Sequence, residues 1–138
     1  MINNSLIAPC GMDCGICLAF LRDKNRCNGC REICNYKPEY CKKCIIINCE
    51  LLNKTDSKFC YDCEKYPCRR LKQLDKRYRN KYYMSMIENL ELIRNIGLDR
   101  FVERENKRWI CSSCGAILCV HRDFCINCKN KKLSINAL

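Results

Sequence analysis

The sequence has only one histidine, His121, and it contains no phosphate-binding loop and no pair of carboxylates in a catalytic spacing. A Ser–His–Asp set requires histidine, and catalytic zinc sites commonly use histidine or carboxylate ligands. These absences favour a non-enzymatic role and leave an enzymatic activity open.

The chain is also poor in conventional apolar residues. Cysteine supplies 17 of 138 residues, or about 12%, so the 48% hydrophobic content falls to about 36% without it. We therefore do not expect a core of ordinary size. Small chains of this kind are usually held together by disulfides or metal ions.

The N-terminal segment MINNSLIAPC lacks the basic residues and the apolar run of a signal peptide, and no later segment has the length and apolar character of a membrane span. We expect a cytoplasmic protein that does not enter a membrane. The reducing cytoplasm disfavours disulfides, and the odd number of cysteines, 17, agrees. Bound metal is then the expected source of stability.

Cysteines dominate residues 10–68, which contain twelve of them. A C-x2-C turn lets two sulfurs bind one ion while backbone N–H groups donate to the thiolates. Three four-cysteine sites would use all twelve thiols, whereas two sites would leave some spare, and the spacing leaves the pairing open. The predicted ligands are the four C-x2-C pairs Cys14/Cys17, Cys27/Cys30, Cys41/Cys44 and Cys60/Cys63 with the single Cys10, Cys49 and Cys68, and Cys34 is a possible ligand.

The first motif, CGMDCGIC (Cys10 to Cys17), has the C-x3-C-x2-C spacing with which radical S-adenosylmethionine enzymes hold a [4Fe-4S] cluster. Such an enzyme needs a large β/α barrel around its cluster. The chain is too short for that barrel and lacks the alternation of strands and helices. We therefore interpret the motif as the first of a series of metal-binding motifs, in which Gly11 and Gly15 permit a tight backbone.

Three short helices are predicted in the middle of the chain, where residues 69–110 contain no cysteine. The first is KYPCRRLKQLDKRYRNKYY, with Pro67 in its first turn and an apolar face at Leu71, Leu74 and Tyr78. The second, SMIENLELIRNI, opens with a capping box at Ser85 and Glu88, buries Met86, Leu90 and Ile93, and ends at Gly97. The third, DRFVERENKRW, is capped by Asp99 and contributes Phe101 and Val102.

The tail WICSSCGAILCVHRDFCINCK places two C-x2-C pairs ten residues apart and resembles a zinc ribbon. We predict a hairpin with a strand at AILCV, and a structural zinc held by Cys111, Cys114, Cys125 and Cys128. Cys119 and His121 are possible metal ligands, and the alternative is that both pack within the hairpin.

The order of these motifs resembles a known family. PCGMDCGIC, CNGCR, CKKCIIINCE and CYDCEKYPCRRLKQLDKRY are similar to successive motifs of a bacterial and archaeal family called domain of unknown function 3795. The tail resembles a C-terminal extension of some members. The resemblance implies a cysteine-rich, metal-binding cytoplasmic protein without an assigned activity, and Cys34 is extra to the usual pattern.

We favour zinc as the metal, at several structural sites, because C-x2-C pairs suit isolated tetrahedral sites. A [4Fe-4S] cluster is the alternative, since Cys10, Cys14 and Cys17 with the remote Cys68 fit a cluster pattern loosely. Four zinc sites with four thiolates each would lower the formal net charge from +11 to about +3. Cys68, beside a predicted basic helix, has a reactive thiolate as its second interpretation.

A basic cluster lies in the first predicted helix, opposed only by Asp75 and interleaved with Tyr66, Tyr78, Tyr82 and Tyr83. Cations neutralise phosphates and aromatic rings stack on unpaired bases, so RNA or single-stranded DNA is a reasonable partner. The alternative is a solvated helix face that balances nearby thiolates. The candidate nucleic-acid-binding residues are Arg69, Arg70, Lys72, Lys76, Arg77, Arg79 and Lys81.

Together these patterns predict a small metal-stabilised α+β protein with three regions. Residues 1–68 form an irregular zinc-knuckle region, residues 69–109 a helical region packed on it, and residues 110–138 a zinc-ribbon hairpin. We expect an interaction module that binds nucleic acid or protein. An iron–sulfur redox protein and a zinc-storing or zinc-delivering protein are the alternatives, and the oligomeric state is not predicted.

Overall fold

Six helices, three of them single turns, make up the regular structure of the chain, for which a computed structural model describes residues 1–132. Short 3-10 turns also occur at Asn4–Leu6, Cys14–Ile16 and Cys60–Asp62. None of the helices in the described residues has both the length and the apolar character needed to cross a membrane. The helices are Leu18–Leu21 (α1), Glu39–Lys42 (α2), Glu50–Asn53 (α3), Arg69–Tyr82 (α4), Met86–Ile96 (α5) and Leu98–Arg108 (α6).

The helix predicted from the basic segment is α4. It begins after Cys68, so Pro67 lies outside the helix and not in its first turn as the sequence predicted. Tyr83 ends the helix in a left-handed conformation, with φ of 55°. Leu71 on its predicted apolar face is completely buried, and Leu74 and Tyr78 pack against the same core.

The capping box predicted at the start of α5 is confirmed. Ser85 Oγ accepts a hydrogen bond from the backbone N–H of Glu88 at 3.1 Å. Gly97, with φ of 89°, ends α5 and also precedes the first residue of α6. The prediction that Asp99 caps the third helix is therefore wrong, because α6 begins one residue earlier and Asp99 lies in its first turn.

The core lies where α4, α5 and α6 pack together, and it is more conventional than the composition suggested. Leu71, Leu90 and Phe101 are at most 1% exposed. The N-terminal segment enters the same buried cluster through Ile7 and Ile16. Aliphatic side chains that are scattered in the sequence are thus collected into one core.

A close approach fixes the N-terminal segment against α5. The side-chain amide of Asn89 donates to the carbonyl oxygen of Gly11 at 2.9 Å. A Cβ at Gly11 would lie 2.6 Å from the carbonyl oxygen of Met86, and the φ of Gly11 is +91°. Both facts require glycine at this position.

The hairpin predicted in the tail is not seen. Among the described residues, extended segments pair only through three isolated antiparallel bridges, two of them in the tail, at Ile110 with Ile117 and at Phe124 with Lys131. In the segment AILCV, Leu118 N–H donates to the Trp109 carbonyl oxygen, but Val120 N–H donates to Ile16. The segment therefore leaves the hairpin direction to contact the N-terminal region, and the α+β class is not supported.

The boundaries predicted for three regions stay a prediction. The buried cluster contains side chains from each of the three, including Ile16, Leu90 and Leu118. Residues 133–138 of the predicted tail region lie outside the described residues.

Candidate metal centre

Two tight turns of the tail have the same backbone geometry. In the first cysteine turn, residues 111–116, Cys111 N–H donates to Ala116 at 2.8 Å and Gly115 N–H donates to Cys111 at 2.9 Å. Gly115 has a positive φ of 78°, which glycine adopts without steric cost. This conformation turns the chain back directly after the second cysteine of the pair.

The second cysteine turn, residues 125–130, repeats the pattern. Cys125 N–H donates to Asn130 at 2.9 Å, and Lys129 N–H donates to Cys125 at 2.8 Å. Lys129 occupies the left-handed position, with φ of 67°. The two turns therefore present their cysteine pairs in the same way.

The two turns bring four sulfurs together. Sγ of Cys111 lies 3.8 Å from Sγ of Cys128, and Sγ of Cys114 lies 3.6 Å from Sγ of Cys125. These distances are far longer than the roughly 2.05 Å of a disulfide. All four Sγ atoms lie within 4.8 Å of one another, so this group, which we call the tail site, could hold a metal ion.

Hydrogen bonds to the sulfurs stabilise their thiolate forms. The side-chain amide of Asn127 donates to Sγ of Cys114 at 3.5 Å, and Ser113 N–H donates to Sγ of Cys111 at 3.4 Å. The Asn127 amide, with the backbone N–H of Ala116, lowers the pKa of Cys114 to about 6. Thiolates are the form that binds metal, so these hydrogen bonds favour ligation by Cys111 and Cys114.

The tail site is fixed to the helical core through the residue that follows α6. Trp109 is 1% exposed and lies two residues before Cys111, the start of the first cysteine turn. Lys132 lies over its ring, 5.6 Å from the centroid, so the chain beyond the second turn also contacts the tryptophan. The core thus positions both ends of the tail site.

Cys119 and His121, the possible ligands of the tail, lie outside this group. Cys119 is completely buried. Both ring nitrogens of His121 are engaged, since Nδ1 accepts from Leu18 N–H at 3.2 Å and Nε2 lies 2.9 Å from the Tyr78 hydroxyl. Burial lowers the pKa of His121, which favours the neutral ring that these contacts require. His121 therefore joins the tail to α1 and α4.

The structure brings the N-terminal cysteines into looser groups. Within residues 1–132 the tail site is the one group of three or more potential ligands whose donor atoms all lie within 4.8 Å of one another. Sγ of Cys14 accepts from Cys30 N–H at 3.3 Å, and the Cys14 thiol, with Lys37 and Arg31, lowers the pKa of Cys30 to about 7. The pair Cys14/Cys17 is thus combined with a cysteine of the next pair.

Most other N-terminal cysteines line either a groove or a small cavity. Cys30, Cys34 and Cys41 line one groove, with a volume of about 330 Å³. Cys27 is buried, and its Sγ accepts from Gly29 N–H at 3.4 Å. The second group comprises the four cysteines Cys49, Cys60, Cys63 and Cys68, which line one small cavity.

Cys10, Cys17 and Cys44 lie in the core cluster or against it. Burial raises the pKa of Cys10, and the nearby Cys30 thiol acts in the same direction. Burial also raises the pKa of Cys17 to about 11. In the absence of a cation, burial therefore favours the protonated forms of these two thiols.

The basic residues of α4 are all exposed, but most of the interleaved tyrosines are not free to stack on bases. Tyr66 donates to Glu91 at 2.8 Å, and the rings of Tyr78 and Tyr82 contact His121. Tyr83 alone of the four is widely exposed, at 86%. The exposed cations are Arg69, Arg70, Lys72, Lys76, Arg77, Arg79 and Lys81.

Sequence reasoning missed two residues, one at the tail site and one in the helical core. Asn127 lies within the second C-x2-C pair, where a side-chain donor can reach a sulfur of the opposite turn. Glu105 is 2% exposed although its side chain is ionisable, and it lies four residues after Phe101 and four before Trp109. This i, i+4, i+8 spacing places Glu105 on the apolar face of the helix, so the sequence pattern could have predicted its burial.

Comparison with known proteins gives no match, because no family model, no curated protein and no solved structure matches this chain. We therefore infer its function from the geometry of the sites.

Proposed function

We propose that this protein is a zinc-stabilised interaction module in which the tail site holds one structural zinc ion. The spacing of the sulfurs carries the proposal. A tetrahedron with zinc–sulfur distances of about 2.3 Å has sulfur–sulfur edges of about 3.8 Å. The two Sγ–Sγ distances of 3.8 Å and 3.6 Å in the tail site match that edge length.

The same spacing favours a single ion over a cluster at the tail site. A [4Fe-4S] cluster binds each cysteine to a different iron, and its ligands must be farther apart than those of one ion. The iron–sulfur alternative therefore applies to the N-terminal cysteines. The repeated turn geometry also supports the zinc-ribbon interpretation of the tail, although its strands are reduced to isolated bridges.

Elemental analysis of protein purified without added metal tests this proposal. We expect zinc, and we expect the double variant Cys114→Ser/Cys128→Ser to contain one zinc ion fewer per chain than the unmodified protein. Cys119→Ala is the matched control, because it removes a buried tail thiol outside the site. Equal zinc in the double variant and the unmodified protein would refute the tail site.

Chelation tests whether the metal stabilises the fold. Structural zinc contributes about 10–16 kcal/mol of apparent binding free energy, so verified removal should abolish the thermal transition. Iron with broad visible absorption would favour the redox alternative. Fast exchange of bound zinc with added isotope would favour storage or delivery, because closed structural sites exchange slowly.

For the partner, we propose single-stranded nucleic acid that binds the exposed cations of α4 through its phosphates. Asp75 is the acidic residue opposing them, and it is buried and paired with Arg79 at 2.8 Å. The other cations of α4 are exposed to solvent, whereas three of the four tyrosines are engaged. These contacts support recognition of phosphates over stacking on bases.

The salt dependence of binding to a uridine homopolymer tests this partner. Each phosphate contact with a single strand contributes about 0.7 to the slope of log affinity against log salt. Reversing Lys72, Lys76 and Arg77 to glutamate should reduce that slope by about 2 and weaken binding strongly. The control reverses the exposed Lys24, Lys54 and Lys107, which changes the net charge equally.

Equal effects of the two triple variants would mean that net charge, and not α4, controls binding. No binding at low salt would refute the nucleic-acid partner and favour a protein partner.

The order and spacing of the N-terminal motifs further lead us to propose that the chain is related to the domain of unknown function 3795 family.

A further inference from the structure

Four cysteines from separate parts of the chain line one small cavity beside the start of α4. Cys49 immediately precedes α3, and Cys68 immediately precedes α4. Cys60 is the first residue of the 3-10 turn Cys60–Asp62, and Cys63 immediately follows that turn. Each sulfur-bearing residue therefore lies at the end of a helical segment, where the fold fixes its backbone.

We propose that Cys49, Cys60, Cys63 and Cys68 form a second metal site that binds one zinc ion through four thiolates. This inference extends the proposed function, since it rests on the same metal chemistry. It states which four N-terminal cysteines share one ion, a question that the spacing of the cysteines in the sequence left open.

The lining of the cavity contains few groups that compete with sulfur. Apart from the four cysteines, Tyr66 and Arg70, the side chains are aliphatic. The Tyr66 hydroxyl is already engaged as a donor to Glu91, and Arg70 is a cation that cannot act as a ligand. The thiolates are therefore the ligands that the cavity offers to a cation.

The size of the cavity suits a single ion. Its volume is about 30 Å³, and a cavity needs about 10–15 Å³ to hold one water molecule. A [4Fe-4S] cluster contains eight atoms and would have to displace the aliphatic lining. The four sulfurs are not within 4.8 Å of one another, as those of the tail site are, so they must move together when the ion binds.

A wider groove shares part of its lining with this cavity. Cys49, Cys63 and Cys68 also line the groove, which has a volume of about 520 Å³. Lys65 and Arg69 line it with them. A zinc ion with four thiolates has a formal charge of −2, and these cations lie where they would offset it.

Zinc content of the full chain tests the second site with three variants. Cys49→Ser/Cys68→Ser should contain one zinc ion fewer than the unmodified protein, and Cys114→Ser/Cys128→Ser should also lose one. The combination of both should lose two. Cys119→Ala should retain the full content.

The outcomes separate this inference from the proposed function. If Cys49→Ser/Cys68→Ser retains all the zinc while the tail variant loses one ion, the second site is wrong and the tail site stands. If the reverse holds, the tail site is wrong and the second site stands. An unmodified protein without zinc overturns both.

Alkylation of the unmodified protein provides a measurement that does not depend on the folding of a variant. In the zinc-loaded protein, N-ethylmaleimide should react slowly with Cys49, Cys63 and Cys68, although these residues line an open groove. Titration with a chelator should expose them together with Cys60 in one step. Fast alkylation of Cys49 and Cys63 in the zinc-loaded protein would overturn the second site.

Discussion

Replacement of Glu105 by glutamine should make the protein more stable above neutral pH. Glu105 lies on the buried face of α6 and is 2% exposed. The nearby carboxyl of Asp13 is completely buried. Burial raises the pKa of Glu105 from 4.5 to about 7, because the low-dielectric interior disfavours the charged form.

The sign of the pH dependence follows from proton binding. Between pH 4.5 and 7 the folded state binds more protons at Glu105 than the unfolded state, so the free energy of unfolding decreases as pH rises. The stabilisation is complete below the unfolded pKa and is lost above the folded pKa. The difference between the two pKa values corresponds to about 3 kcal/mol.

Urea denaturation at several pH values measures this effect. Glu105→Gln cannot ionise, so its free energy of unfolding should exceed that of the unmodified protein by up to about 3 kcal/mol at pH 8, relative to the difference at pH 4.5. Comparing the two proteins at each pH cancels the titration of the metal-binding thiols. Glu103→Gln, an exposed change on the same helix, is the control. A difference that is constant with pH would refute the assignment.

Three further substitutions test local contacts by urea denaturation. Ser85→Ala removes the cap of α5 and the 2.6 Å hydrogen bond to Asp75, and should destabilise the protein by about 1–2 kcal/mol. Gly115→Ala introduces a side chain at a φ of 78°, at a cost of about 1–2 kcal/mol, although no atom blocks the new Cβ. Tyr78→Phe removes the contact with Nε2 of His121, at a cost of about 1 kcal/mol.

Control substitutions show whether the losses come from the contacts described and not from removal of a hydroxyl group or a glycine as such. Ser112→Ala and Tyr83→Phe remove exposed hydroxyl groups and should leave the unfolding free energy within about 0.5 kcal/mol. Gly115→Asn should cost less than Gly115→Ala, because asparagine tolerates the left-handed conformation better. Equal losses for the two Gly115 variants would contradict the role assigned to its backbone conformation.

The three long helices α4, α5 and α6 were predictable because local signals and burial agree, whereas the single-turn helices α1, α2 and α3 were not predicted. Ser85 and Gly97 delimit α5, and Leu90 and Ile93 at helical spacing are at most 2% exposed. The boundary of α6 was not predictable with the same accuracy. A capping aspartate at Asp99 was a reasonable interpretation, but Gly97 serves the end of one helix and the start of the next, which leaves no room for a separate cap.

The grouping of cysteines depends on contacts between distant segments, so the sequence predicts it only in the tail. There the two C-x2-C pairs form equivalent turns that meet directly. In the N-terminal region, Cys14 lies beside Cys30, and Cys49 lies beside cysteines that follow it by more than ten residues. Such neighbours are decided by loop paths and not by local spacing.

The strand predicted at AILCV was also overridden by contacts with distant segments, which local sequence does not predict. Its apolar residues suit a strand, but Val120 N–H donates to the carbonyl oxygen of Ile16, and the ring nitrogens of His121 contact Leu18 N–H and the Tyr78 hydroxyl. These long-range contacts replace the ladder that local pairing would have formed. The tail is thereby fixed to the N-terminal region as well as to α6.

The groove beside the second site also divides the basic residues of α4 by their surroundings. Arg69 and Arg70 line the groove with the cysteines, where they would offset the negative charge of a four-thiolate zinc site. Lys72, Lys76 and Arg77 do not line it, and they are exposed to solvent. Charge balance and nucleic-acid binding, the two interpretations of the basic segment, can therefore be tested at different residues of one helix. A variant limited to Lys72, Lys76 and Arg77 therefore tests the proposed phosphate contacts without replacing either of the two cations that line the groove.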